Sequence, residues 1–135
     1  MESILKLIRK GKMRKIKFCG VTAKELKWIY GDLIHNGEKY EIREENGDVR
    51  DVIPESVGEF SGLHDNDGTE IYEGDIVEVK TLNGKRIFPV VMEAGIFGIG
   101  DSSVPTPLSI HERKKGTGRG YIKVLGHVFD TGIRD

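Results

Sequence analysis

The stretch GLHDNDGTEIYEGDIVEV, residues 62–79, crowds six carboxylates, three glycines, a histidine and a tyrosine into a run that ends in alternating apolar residues. Three readings compete for it: a metal loop, an acid–base site, or a turn feeding a strand. Calcium fails first. An EF-hand loop needs acids at positions 1, 3 and 5, glycine at 6 and a bidentate glutamate at 12. With Gly68 at the glycine position, Asp65 and Asp67 fall correctly, but Leu63 and Gly74 stand where the two anchoring ligands belong. Transition metals have little to hold them either. His35, His64, His111 and His127 are scattered, and no CxxC joins them.

Acid–base chemistry is the remaining competitor. His64-Asp65 with Glu70, Glu73 and Asp75 nearby is the one place where an unrecognised enzyme could converge. Acids at this density on a turn are usually solvated, and no apolar run beside them would raise a carboxyl pKa. No G-x-S-x-G is present, and Cys19 sits in the strand-like KIKFCGV, where a buried, inert thiol is expected. KKGTGRG (residues 114–120) and GIFGIG (residues 95–100) are glycine-rich but lack the strand–loop–helix setting of phosphate and dinucleotide loops. The expectation is therefore no catalytic residue, no metal and no cofactor. Asp65 and Asp75 are expected to accept backbone N–H groups in the turns, with Asp67 serving the hairpin.

The turn reading extends along the chain. Asn36-Gly37, Asn46-Gly47, Asp67-Gly68 and Asn83-Gly84 each suit a tight hairpin, because Asn or Asp tolerates positive φ and glycine has no Cβ to clash. EKYEIREE, DIVEVKTL, KRIFPVVM and YIKVLGHVFD alternate as strands do, although Pro89 argues for an edge position or a bulge. Short strands at such spacing predict a mainly β protein, a barrel or a sandwich. Helix is scarce: SILKLIRK could make two amphipathic turns, and VTAKELKWIY could begin with one. The run SSVPTPLSIHERKKGTGRG, residues 102–120, reads as a long loop. YGDLI (residues 30–34) echoes YEGDIV (residues 72–77), and both are expected to be turn-to-strand junctions.

Composition bounds the class. At 135 residues with 37% hydrophobic and 32% charged residues, one domain with a modest core is expected. No apolar run nears the roughly 18–20 residues of a membrane-spanning helix, so no membrane role is expected. A single cysteine fits a reducing cytoplasm. The net charge of −1 conceals a basic start (net +6 over residues 1–20), an acidic middle (net −10 over residues 38–75) and a basic stretch over residues 111–124. Without interleaved aromatics this favours solvated faces over a nucleic-acid surface, though Lys114, Lys115 and Arg119 are the candidate contacts to a nucleic acid or a partner.

Beyond these patterns, VGEFSGLHDNDGTEIYEGDIV (residues 57–77) resembles the signature of the YopX family, found in phages and prophages. Gly62, Asp65, Gly68, Tyr72, Gly74 and Asp75 carry it, with Ser56 and Ser61 where threonines are usual. MRKIKF (residues 13–18), WIYGDLI (residues 28–34) and the closing YIKVLGHVFD resemble further family elements, with His127 in place of the usual asparagine. The resemblance implies a mainly β fold of short antiparallel strands, with a smaller N-terminal β lobe over residues 13–56. It places an SH3-like barrel over residues 57–130, joined at IPESVGEFSG, and leaves a tail at 131–135. Residues 1–12 then form a basic extension, or Met13 is the true start. It transfers no activity, since one fold hosts many functions. The expectation is a cytoplasmic phage or prophage accessory protein that binds a phage or host protein, with nucleic acid the second choice and a homo-oligomer compatible with either.

Overall fold

The structure, a computed structural model, describes residues 15–93, 95–99, 106–108 and 120–130. Six antiparallel strands build the first sheet: β1 (Phe18–Val21), β2 (Trp28–Asn36), β3 (Lys39–Glu44), β4 (Val49–Asp51), β5 (Gly58–His64) and β6 (Glu70–Tyr72), in the order β4-β3-β2-β1-β5-β6. The second sheet holds β7 (Asp75–Thr81), β8 (Gly84–Glu93), β9 (Ile96–Ile99), β10 (Thr106–Pro107) and β11 (Ile122–His127), ordered β10-β9-β8-β7-β11. A 3₁₀ turn, Pro54–Ser56, precedes β5 at the expected joint. The hydrogen-bonded order changes sheet later, between Tyr72 and Asp75. The mainly β expectation holds, and the fold is two open antiparallel sheets, neither of them closed into a barrel.

All four Asn-Gly and Asp-Gly sites lie at hairpin connections: β2–β3, β3–β4, β5–β6 and β7–β8. At the first, register pairs Asn36 with Lys39, so the two central residues are Gly37 and Glu38. Positive φ at Gly37 with none at Glu38 is the type II′ pattern, whose twist matches that of paired strands. At the last, the Thr81 hydroxyl donates to the Gly84 carbonyl and accepts the Asn83 N–H, closing the loop locally.

Among the described residues, three apolar clusters form the interior. Ile29, Ile42 and Val52 pack on one face of the first sheet. The chain after β4 returns to β1: Ile53 donates to the Val21 carbonyl, and Thr22 bridges Val52, which rolls the sheet around this cluster. Cys19, Phe60 and Tyr72, with Trp28 against them, occupy the other face. Ile71 joins the main core of Val77, Val79, Val90, Ile99, Leu108 and Ile122. Neighbouring Ile71 and Tyr72 thus enter different clusters, because side chains alternate along a strand, and β6 is a wall shared by both. Each such aliphatic side chain contributes roughly 1.5–3 kcal/mol by leaving water.

Residues 22–27 make the single turn expected there, with the i+4 bond from Leu26 N–H to the Thr22 carbonyl and Thr22 N–H to the Lys27 carbonyl, and it goes no further before β2. Other expectations need correction or refinement. Gly31-Asp32 lies inside β2, so its likeness to Gly74-Asp75 at the start of β7 does not reflect two equivalent junctions. Strand β8 has neighbours on both sides, but Gly84–Pro89 pair only with β7 and Val90–Glu93 only with β9, so Pro89 has a ladder on one side, as an edge position has. Pro89 pairs with Ile76 of β7, and the ladder to β9 begins only at Val90, so the missing N–H falls at the changeover between neighbours. Within the expected long loop, Thr106–Pro107 pairs with β9 and Leu108 is only 1% exposed. The amphipathic SILKLIRK, most of that long loop and the tail lie outside the described residues.

Leu108→Ala is expected to lower stability by about 2–4 kcal/mol in urea melts, since it empties a filled core position. Leu82→Ala, at a fully exposed hairpin tip, should stay within about 0.5 kcal/mol of the parent.

Candidate functional site at the joint between the sheets

The signature stretch forms the joint. Asp65 begins the turn between β5 and β6, and its Oδ1 accepts the N–H groups of Asp67 and Thr69, both at 2.9 Å. Its Oδ2 accepts the Val124 N–H of β11 at 3.0 Å. Next to it, Asn66 exchanges two bonds with Ile122: backbone N–H to the Ile122 carbonyl at 2.9 Å, and Oδ1 accepting the Ile122 N–H at 3.2 Å. A turn of the first sheet thereby satisfies the outer edge of the second. Strand β11 would otherwise present unpaired backbone groups there.

A second corner sits at residues 72–75. Asp75, fully buried, accepts the Tyr72 N–H at 2.8 Å. Gly74 donates to the Val90 carbonyl and accepts the Val128 N–H, each at 2.8 Å. Gly74 has φ of +91°, and a Cβ there would lie 2.4 Å from His127 Nε2, so the corner requires glycine twice over. His127 is buried and held at both ring nitrogens. Nδ1 accepts the Phe129 N–H at 2.9 Å, which leaves Nε2 as the donor facing the Glu73 carbonyl at 3.3 Å. Its ring packs on Trp28 at 4.6 Å between centroids.

On the far side of β6, the Tyr72 hydroxyl donates to Glu70 at 3.0 Å, and Lys17 pairs with the other Glu70 oxygen at 2.7 Å. Burial, then the bond to Glu70, pushes the Tyr72 phenol above its ordinary value. Burial pushes Glu70 the other way from its partners, and the hydrogen bonds from Lys17 and Tyr72 prevail, so its carboxyl lies below the usual range. Glu73 differs. Burial pushes its carboxyl up, the Glu59 backbone N–H draws it back, and the Glu59 carboxylate adds to the rise.

Both expected backbone bonds to Asp65 and Asp75 are present. Asp67 is exposed; it is Asp65 that organises the hairpin. Gly62 has positive φ where the β5–β6 register shifts, and Gly68 donates back to the Asp65 carbonyl. His64 is exposed and set edge-on against Phe60 at 5.6 Å, while Asp65 turns to the backbone, so the pair does not converge on a common pocket. His35 stacks on Tyr40 at 4.3 Å. Among the described residues no three His, Cys, Asp or Glu side chains gather as a metal site. Lys114, Lys115, Arg119 and His111 lie outside the described residues.

Two cavities open on the described surface. One, about 300 Å³, lies between residues 22–25 and 49–51; its Arg50 already pairs with Glu25, Glu44 and Asp48. The other, about 260 Å³, lies between the sheets and is lined by Glu55, Val57, Glu73, Pro89, His127 and Val128 among others. The sequence singled out none of Glu55, Pro89 or Val128 as site residues. They come from three separate segments; in the sequence this corner was marked by Gly74 and Asp75 of the signature and by the substitution at His127.

Asp65→Ala is expected to cost on the order of 3 kcal/mol in denaturant melts, because three backbone donors lose one carboxylate. Asp67→Ala should change stability by no more than about 0.5 kcal/mol. For Glu73, a folded-state pKa above the unfolded one means the fold holds the proton more tightly, so the residue costs stability as pH rises above its unfolded pKa. Glu73→Gln is therefore expected to gain stability relative to the parent between about pH 4 and about pH 7, measured by melts at both ends.

No curated protein matches the chain. Against families of known proteins, residues 11–131 match the family described as YopX protein, a span that takes in both sheets, both corners and the inter-sheet cleft. The chain belongs to the YopX family.

Proposed function

We propose that this chain is a non-catalytic binding module for a protein partner, a phage- or prophage-encoded accessory protein that works in the cytoplasm. One observation carries the reading. Asp65 and Asp75 of the signature, and His127 packed beside Gly74, are committed to backbone groups, which makes the joint a stiff scaffold. A stiff scaffold suits recognition, since ordering costs are met before the partner arrives. An SH3-like relationship for residues 57–130, with residues 13–56 as a companion lobe, belongs to this proposal, as does assembly into a homo-oligomer.

Nucleic acid is the second reading. Lys80 and Lys85 pair across strands, and Lys123 lies opposite Glu78 on the same outer face of the second sheet, all three lysines exposed. Lys114, Lys115 and Arg119, outside the described residues, are further candidate contacts under this reading.

Cross-linking in induced host cells, followed by reconstitution with the purified candidate, separates the two. The binding-module reading expects a complex of fixed stoichiometry with one protein that survives nuclease treatment. A complex lost to nuclease, with affinity for DNA or RNA falling steeply as salt rises, would replace it with the second reading.

A further inference from the structure

The cleft between the sheets has a chemistry that selects its occupant. Its walls are aliphatic and open to water: Val128 is 61% exposed, Pro89 is exposed, and Val57 continues the surface across the gap. Its lining residues include two acids, Glu55 and Glu73, the latter's carboxyl also accepting from the Glu59 backbone, and no lysine or arginine. Neither glutamate enters an ion pair among the described residues, where Glu25, Glu44, Glu70 and Glu78 all do. The ring nitrogens of His127 are turned to the Glu73 carbonyl and the Phe129 N–H, so the histidine forms a wall.

Geometry adds preorganisation. Three of the four wall segments, residues 73–74, 89–91 and 127–128, are tied to one another, Gly74 N–H to the Val90 carbonyl and Val128 N–H to the Gly74 carbonyl. Such a cleft does not have to form when a ligand arrives. Its volume of about 260 Å³ is below the roughly 300–1,000 Å³ usual for small-molecule pockets, and suits one or two protruding side chains. Burial that holds the Glu73 carboxyl up is relieved when a cation comes beside it.

We propose that this cleft docks a short apolar–basic segment of a protein partner, with an aliphatic side chain against Val57, Pro89 and Val128 and a lysine or arginine reaching Glu73 and Glu55. The inference rests on the binding-module reading and deepens it by naming the surface and the partner's chemistry. Complementary charge fixes register and rejects acidic segments, and the aliphatic contact supplies the buried area.

The single tryptophan gives a direct readout, since the Trp28 ring lies 4.6 Å from that of His127. Two synthetic peptides serve as probes on the full chain: one alternates leucine with lysine or arginine, and its counterpart carries glutamate at every basic position. The basic peptide is expected to change Trp28 fluorescence saturably and to shift the amide resonances of Gly74, Val91 and Val128, while the acidic one does neither. Combining Glu55→Gln with Glu73→Gln should weaken binding about tenfold. Combining Glu38→Gln with Glu45→Gln, an equal charge change at exposed hairpin positions, should leave it within about twofold.

Equal weakening by both pairs would reduce the effect to general attraction and overturn the assignment, as would resonance shifts confined to another face. A Trp28 signal that depends on protein concentration alone would give the cleft to a second copy and also overturn it. A captured partner that binds the Glu55→Gln, Glu73→Gln protein unchanged would leave the binding-module reading standing and remove the cleft from it.

Discussion

One carboxylate does most to make this chain a single body. Asp65 accepts two N–H groups of its own turn and a third from Val124, 59 residues further along the chain. The local pair shapes the β5–β6 connection; the distant bond fastens that connection to the edge of the other sheet. A neutral side chain of similar size could make part of this arrangement. An ionised acceptor makes stronger bonds to all three donors, and removing it would strand backbone groups away from water. Asn66 repeats the tie one residue on, with two bonds to Ile122. The outer edge of β11 is thereby closed by side chains instead of a further strand.

The second constraint is the corner at residues 72–75, where the chain leaves one sheet for the other. Ile71 and Tyr72 face opposite ways into different apolar clusters, so the strand cannot rotate without emptying both. Asp75 then caps the Tyr72 N–H, and Gly74 passes so close to His127 that no Cβ fits. These contacts leave the inter-sheet cleft as a consequence: its walls are the parts of the chain that the corner brings together without filling the space between them. The surface proposed to bind a partner is therefore a by-product of the way the sheets are joined.

Much of this was legible in the sequence, for local reasons. Turn residues act over a few positions, and each Asn-Gly or Asp-Gly pair marked a real hairpin. Period-two alternation in DIVEVKTL likewise announced a strand with one buried face, as Val77 and Val79 show. Asp65 and Asp75 accept the expected N–H groups, but the signature acids are not the solvated set expected: both aspartates are buried, and burial pushes the Glu73 carboxyl up. What was not legible depended on partners far away in the chain. Nothing near Asp65 signals Val124, and nothing near Leu108 signals a core assembled from β6 to β11. Pro89 is paired on one side only, as a proline in a strand requires, but the changeover between ladders at that residue is a property of the whole sheet. The cleft was invisible for the same reason, its residues being drawn from separate segments that share no local pattern.

The signature of this YopX-family chain ties two sheets together through Asp65. Residue-resolved amide hydrogen exchange tests it most directly, comparing the parent with Asp65→Asn, which keeps the size of the side chain and removes its charge. Protection is expected to fall first and furthest at Thr69 and Val124, and then along β11, while β2 and β3 keep theirs. Unchanged protection at Val124, or a uniform loss over both sheets, would contradict it.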